Sequence, residues 1–263
     1  MSTSTASSSF DQASGLRELF AAMAPAAEPA AALALAPVHA LVCPSRPALA
    51  LPLAEICHQL LRQQQRRHAW IDELDFETRE NWPMPCPVRF DLGQSMADHV
   101  PLSASLNSLD KTLAWYASAR RLSDAAPALS LTDRLAQSGL DFEHVLVCAD
   151  PASQRPWSLY GPQVTPVVLC ETGPDAAALS VQWLRDQASS QGLDLSGCKW
   201  VMLGNLLEGN QIREKINQSW QALYGSEPRW IGQSKLEPGE SLLPLAGRWQ
   251  ALARHLVDQL GRP

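Results

Sequence analysis

The chain has 263 residues, 46% of them hydrophobic, which is enough for one large α/β domain or one domain with a tail. Its formal net charge of −6 argues against a nonspecific nucleic-acid binder, which needs a basic face. No window reaches the ~18 uncharged apolar residues that span a bilayer. The Ser/Thr-rich start lacks the basic segment of a signal peptide, so a cytoplasmic protein is expected.

Residues 1–24 form a tail. Within it, Ser9 and Gln12 stand at capping-box spacing, and Asp11 falls in the first turn that would follow. Leu16, Leu19, Phe20 and Met23 then give a short apolar stripe at helical spacing, weakened by Gly15. So short an amphipathic helix orders only against something else. Residues 25–37, rich in alanine and proline, are expected to act as a semi-flexible linker.

From residue 38 to the end, strand and helix patterns alternate. Val38–Cys43 is an apolar run, Pro44–Pro52 a loop with three prolines, and Leu53–Gln65 a helix with Ile56, Leu60 and Leu61 on one face. Ala69–Ile71 is the next strand, ending at Asp72, which completes a βαβ unit. A helical stretch to His99 follows Val88–Leu92, and Pro101–Leu109 is a weaker helix candidate. Leu113–Tyr116 reads as a strand, Leu129–Gln137 as a helix, and His144–Ala149 as a buried strand with Asp150-Pro151 at its carboxyl end. Pro166–Cys170, Lys199–Gly204 and Arg229–Ile231 are further strands, the last one an edge strand. Asp175–Ser189, Ile212–Tyr224 and a long segment after Pro244 to Leu260 are helices. The pattern predicts an α/β fold with a mostly parallel, doubly wound sheet, covered on both faces.

The six cysteines are scattered without a C-x-x-C pair, so no disulfide framework or metal site is expected. Cys43, Cys148 and Cys170 fall in apolar runs and read as core thiols.

The order of elements from about 38 to 260 resembles the MinD/ParA branch of P-loop ATPases. The strand ending Ile71-Asp72 is similar to that family's second strand. The segment Leu140–Pro151 is similar to its Walker B strand and the loop beyond. Asn205 matches its strand-end asparagine near the adenine. The segment Asp11-Gln12-Ala13-Ser14-Gly15-Leu16-Arg17 fits the DQAxxLR motif of the FlhG/FleN proteins, MinD-like regulators of flagellar number and placement.

That resemblance implies a partner, the flagellar signal-recognition-type GTPase FlhF, bound by the motif and stimulated in GTP hydrolysis. Gln12 is then the residue supplied to the partner's site, where a glutamine can orient the attacking water. Phe10, Asp11, Ala13, Leu16, Arg17, Leu19 and Phe20 become the partner-binding set. Flagellar switch or C-ring components and transcriptional regulators are further expected partners, with recruitment to the cell pole through them. An alternative is another localisation factor of the same fold, serving a pilus or cellulose secretion.

Against the same resemblance, counting back from Asp72 puts the family's signature lysine on Ser45, its P-loop lysine on Ala50 and its magnesium-binding threonine on Leu51. The glycines fall on Pro44, Arg46, Pro47 and Leu49. Proline has no N–H to offer a phosphate, and the other two resist the backbone angles of a phosphate nest. The Walker B aspartate falls on Cys148 or, with a shift, on Asp150. Ser45, Ala50, Leu51, Asp72, Asp150 and Asn205 are therefore read as a degenerate nucleotide site. No cofactor, no metal and no ATPase activity are expected. The competing expectation is a nucleotide-binding switch or ATPase that is still active. The apolar stripe of Leu245, Trp249, Leu252, Leu256 and Leu260 is read as core packing, since its polar face carries few basic residues for membrane association.

Overall fold

The computed structural model describes residues 35–260 apart from 111, 121, 123–128, 196 and 238. The DQAxxLR segment lies outside the described residues.

Among the described residues eight strands form one sheet. They are β1 (Val38–Val42), β2 (His68–Asp72), β3 (Asn107–Asp110), β4 (Ala114–Ser118), β5 (His144–Cys148), β6 (Val164–Glu171), β7 (Lys199–Leu203) and β8 (Arg229–Ser234). Their spatial order is β3-β4-β2-β5-β1-β6-β7-β8. Neighbours pair in parallel, except that β3 runs antiparallel to β4. The central strands are apolar on both sides because both faces are covered. In β1, Val38, Ala40 and Val42 face one apolar core and Leu41 faces the other.

The first core packs under helices α4 (Leu131–Gln137), α5 (Pro174–Gln191) and α6 (Leu206–Tyr224). The second lies under α1 (Ala50–Gln63) and α8 (Gln250–Leu260), numbered in a series that includes α2 (Leu92–Met96), α3 (Leu102–Ser105) and α7 (Leu245–Arg248). No helix among the described residues is long and apolar enough to cross a membrane.

Several boundaries differ from the sequence expectation. Helix α1 begins at Ala50, not Leu53: Pro52 sits in the first turn, where its missing N–H has no helical partner to lose. Helix α6 begins six residues early, at Leu206, because Asn205 caps it through a bond from the Leu207 N–H at 2.9 Å. The helix expected over Pro101–Leu109 is only α3, and the chain then extends into β3, where pairing with β4 satisfies its backbone. The single helix expected after Pro244 is two, α7 and α8, broken at the fully buried Trp249. Strand β8 runs on to Ser234, with a register shift between Trp200 and Val201 on its partner β7.

The second face carries a row of polar side chains at the amino ends of six neighbouring strands. His68, His144, His39, Thr165, Lys199 and Arg229 each stand two residues before a member of the second core, namely Trp70, Leu146, Leu41, Val167, Val201 and Ile231. His58 of α1 bonds His68 (Nδ1 to Nε2, 2.8 Å), and the His39 and His144 rings lie 5.8 Å apart. Lys199 Nζ donates to the Gln259 carbonyl at 2.8 Å and Arg229 to the Gln259 side chain at 2.6 Å, tying the end of α8 to the sheet. Burial lowers the pKa of all four histidines, to about 4 for His58 and for His144.

In the unfolded chain these rings titrate at the ordinary value near 6.5. The unfolded state therefore binds more protons between about pH 6.5 and 4. Stability from this belt is complete above the unfolded pKa and is lost as pH falls through that window. Urea unfolding midpoints are expected to fall steeply from pH 7 to 5, and His39→Leu is expected to flatten the profile. An unchanged profile in that variant would show that His39 does not contribute to the acid response.

Candidate functional site

In a sheet of this kind ligands bind beyond the carboxyl ends of the strands, where the connecting loops decide what can be held. After β1, Pro47–Leu49 forms a 3-10 turn that runs straight into α1. Ala48, Leu49, Ala50 and Leu51 are completely buried in the second core. The Leu49 N–H is consumed by the Arg46 carbonyl at 3.0 Å. Ser45 donates its hydroxyl to Glu171, at the end of β6, at 2.6 Å.

Arg46 reaches across the strand ends. Its Nε donates to Glu80 at 2.7 Å, in the loop after β2, and its other end to the Glu240 carbonyl at 2.9 Å, in the loop after β8. The Glu240 carboxylate in turn pairs with Arg248. This clasp joins the loops after three strands over the end of β1.

Asp72 ends β2 fully buried. It pairs with Arg79, accepts from the Tyr116 hydroxyl at 2.8 Å and from the Leu74 N–H at 3.0 Å. Arg79 also holds the carbonyls of Trp82 at 3.2 Å and Pro83 at 2.9 Å. Beside it, the buried Glu73 pairs with Arg155 and accepts from the Asp150 N–H at 2.8 Å. Burial pushes the Glu73 carboxyl up and the Arg155 guanidinium down, to about 9. Their contact opposes both shifts, and removing either partner would leave the other as an uncompensated buried group. Asp150 itself is half-buried and accepts the Ala152 N–H at 2.9 Å, as a turn-forming aspartate does.

Asn205 stands apart from this network, two strands from β1. Beside it Thr172, Leu206, Glu208, Lys235, Leu236 and Glu237 line a cleft of about 460 Å³. The preceding Gly204 (φ +138°) packs against the Thr172 side chain, leaving no room for a Cβ.

The residues expected to make one degenerate site thus fall into three places. Ser45, Ala50 and Leu51 lie at the closed turn, Asp72 and Asp150 in the adjacent ion-pair network, and Asn205 at the separate cleft. Arg46, Glu73, Arg79, Glu80, Tyr116, Arg155 and Glu171 were not singled out from the sequence. The one local signal was the doublet Asp72-Glu73 at the end of an apolar run.

Among the described residues no group of three His, Cys, Asp or Glu is placed to hold a metal ion. Burial pushes the Cys43, Cys57 and Cys148 thiols up to about 12, so none is a thiolate nucleophile at neutral pH.

No protein-family profile matches the chain, and no curated protein matches it in sequence. Solved structures do match. The MinD cell division protein of Aquifex aeolicus is 14% identical with a TM-score of 0.54, over 85% of this chain and 97% of that one. Apo McdA of Cyanothece is 12% identical with a TM-score of 0.55, over 85% and 98%. Cobyrinic acid a,c-diamide synthase of Mycobacterium smegmatis, with a bound ATP analogue and magnesium, is 16% identical with a TM-score of 0.55, over 86% and 96%. The chain has a MinD/ParA-like P-loop NTPase fold.

Replacing Arg79 with Met is expected to destabilise the domain by about 3–5 kcal/mol, because it strands Asp72 as a buried charge. Asp72→Asn combined with Arg79→Met should recover part of that loss. Equal urea midpoints for wild type and Arg79→Met would show that the pair carries no such weight.

Proposed function

We propose that this chain is a non-enzymatic regulator on a MinD/ParA-like nucleotide-binding fold, with the ATPase activity of that fold lost. The observation that carries the reading is the state of the carboxyl edge. Where a phosphate would need free N–H groups and a lysine, the chain offers a proline-bearing turn, buried Ala50 and Leu51, and carboxylates already paired with its own arginines. The activity is assigned to the DQAxxLR segment, with Gln12 entering the site of the flagellar GTPase FlhF and stimulating GTP hydrolysis. Flagellar switch or C-ring proteins and transcriptional regulators are candidate partners for the domain, and recruitment to the pole would come through them.

A second reading, a nucleotide-binding switch or active ATPase on the same fold, is favoured by the cleft beside Asn205, at the strand end where the family places the adenine. Calorimetry with ATP and Mg²⁺ separates the two: no heat of binding is expected, and micromolar affinity would overturn the regulator reading. For the partner, phosphate release by the GTPase is expected to rise on adding this protein and to return to its basal rate with Gln12→Ala. Full stimulation by that variant, or none by the wild type, would sink the role given to Gln12.

A further inference from the structure

The cleft beside Asn205 lies outside the Arg46 clasp, and its lining is apolar and acidic. Leu206 and Leu236 line it, and Leu206 and Leu207 are 62% and 77% exposed, side by side on the first turn of α6. That turn is held in place. Asn205 caps it, and a Cβ on the buried Gly209 would meet Met202 Cγ at 3.1 Å, so the helix packs tightly on the end of β7. Single exposed leucines are ordinary, but an adjacent pair on a fixed turn at the mouth of a cleft marks a contact surface.

The charges select the occupant. Lys235 is engaged by Glu237 at 2.6 Å, and Glu208 has no cation among the described residues. Asp175, exposed in the first turn of α5, adds negative charge at the neighbouring strand end. An anionic ligand is repelled here, and a cationic one with an apolar body is attracted.

We infer that this cleft docks a basic, apolar segment of a partner protein. An arginine or lysine of the partner lays its hydrocarbon stem along Leu206 and Leu236 and brings its charged head to Glu208, while a neighbouring apolar side chain covers Leu207. The inference rests on the reading of the domain as a scaffold, in which this edge is not committed to nucleotide.

The test uses the full chain and two short fluorescein-labelled amphipathic peptides, one of leucine and lysine and one of leucine and glutamate. Binding is followed by anisotropy at about 0.15 M salt, where surface charges beyond ~8 Å are screened. The lysine peptide is expected to bind, the glutamate peptide not. The pair Leu206→Ser/Leu207→Ser, and separately Glu208→Lys, are expected to weaken binding by about tenfold or more with unchanged melting temperature. Leu223→Ser, exposed at the far end of α6, should bind as wild type. Equal binding by all variants would show general attraction to an acidic protein and overturn the site, as would no binding at all. Calorimetry with ATP and Mg²⁺ on the same sample keeps the two readings apart. Nucleotide binding removes the scaffold and this site together, whereas absence of both ligands removes the docking site alone.

Discussion

The charge of Asp72 sits at the end of a strand with no access to water, and much of the carboxyl edge follows from the need to neutralise it. A buried carboxylate without a partner costs several kcal/mol, so a cation has to be brought to it. Arg79 comes back over the strand end to do so, and its remaining donors take the carbonyls of Trp82 and Pro83. That bends the loop after β2 across the sheet. Glu80, next in sequence, is thereby presented to Arg46, and through Arg46 the loops after β1 and β8 are drawn into the same cover. Glu73 and Arg155 repeat the device beside it, joining the loops after β2 and β5.

Much of the fold could be read from the sequence, for a simple reason. A strand buried on both faces is an unbroken apolar run, so β1, β2, β5, β6 and β7 announce themselves, and the ends of β2, β5 and β7 locate Asp72, Asp150 and Asn205. The adjacency of Glu73 and Arg155 was not legible, because it depends on β5 lying next to β2 although 82 residues separate the two side chains (155 − 73). Helix starts were misplaced where capping overrode the apolar stripe. The exposed Leu206 and Leu207 fit no buried face, yet Asn205 makes them helical. The short β3 was hidden because serine- and asparagine-rich segments carry little preference until a neighbouring strand offers them hydrogen bonds.

Likeness to MinD, McdA and cobyrinic acid a,c-diamide synthase at 12–16% identity is likeness of fold. Function belongs to the site built on the fold, and the two edges of this sheet differ in character. The amino edge holds neutral histidines and the cations that tie down α8. The carboxyl edge holds Asp72, Glu73 and Glu80 paired with the chain's own arginines, with the cleft beside Asn205 to one side.

The Arg46 clasp also has a dynamic consequence. Because one side chain bonds two loops that follow strands far apart in sequence, neither loop can lift without releasing the other. The loops after β1, β2 and β8 are therefore coupled in their opening, while the strand end beside Asn205 is not part of that unit. A surface tied together in this way is already ordered, and any ligand meeting it would cost the domain little conformational entropy.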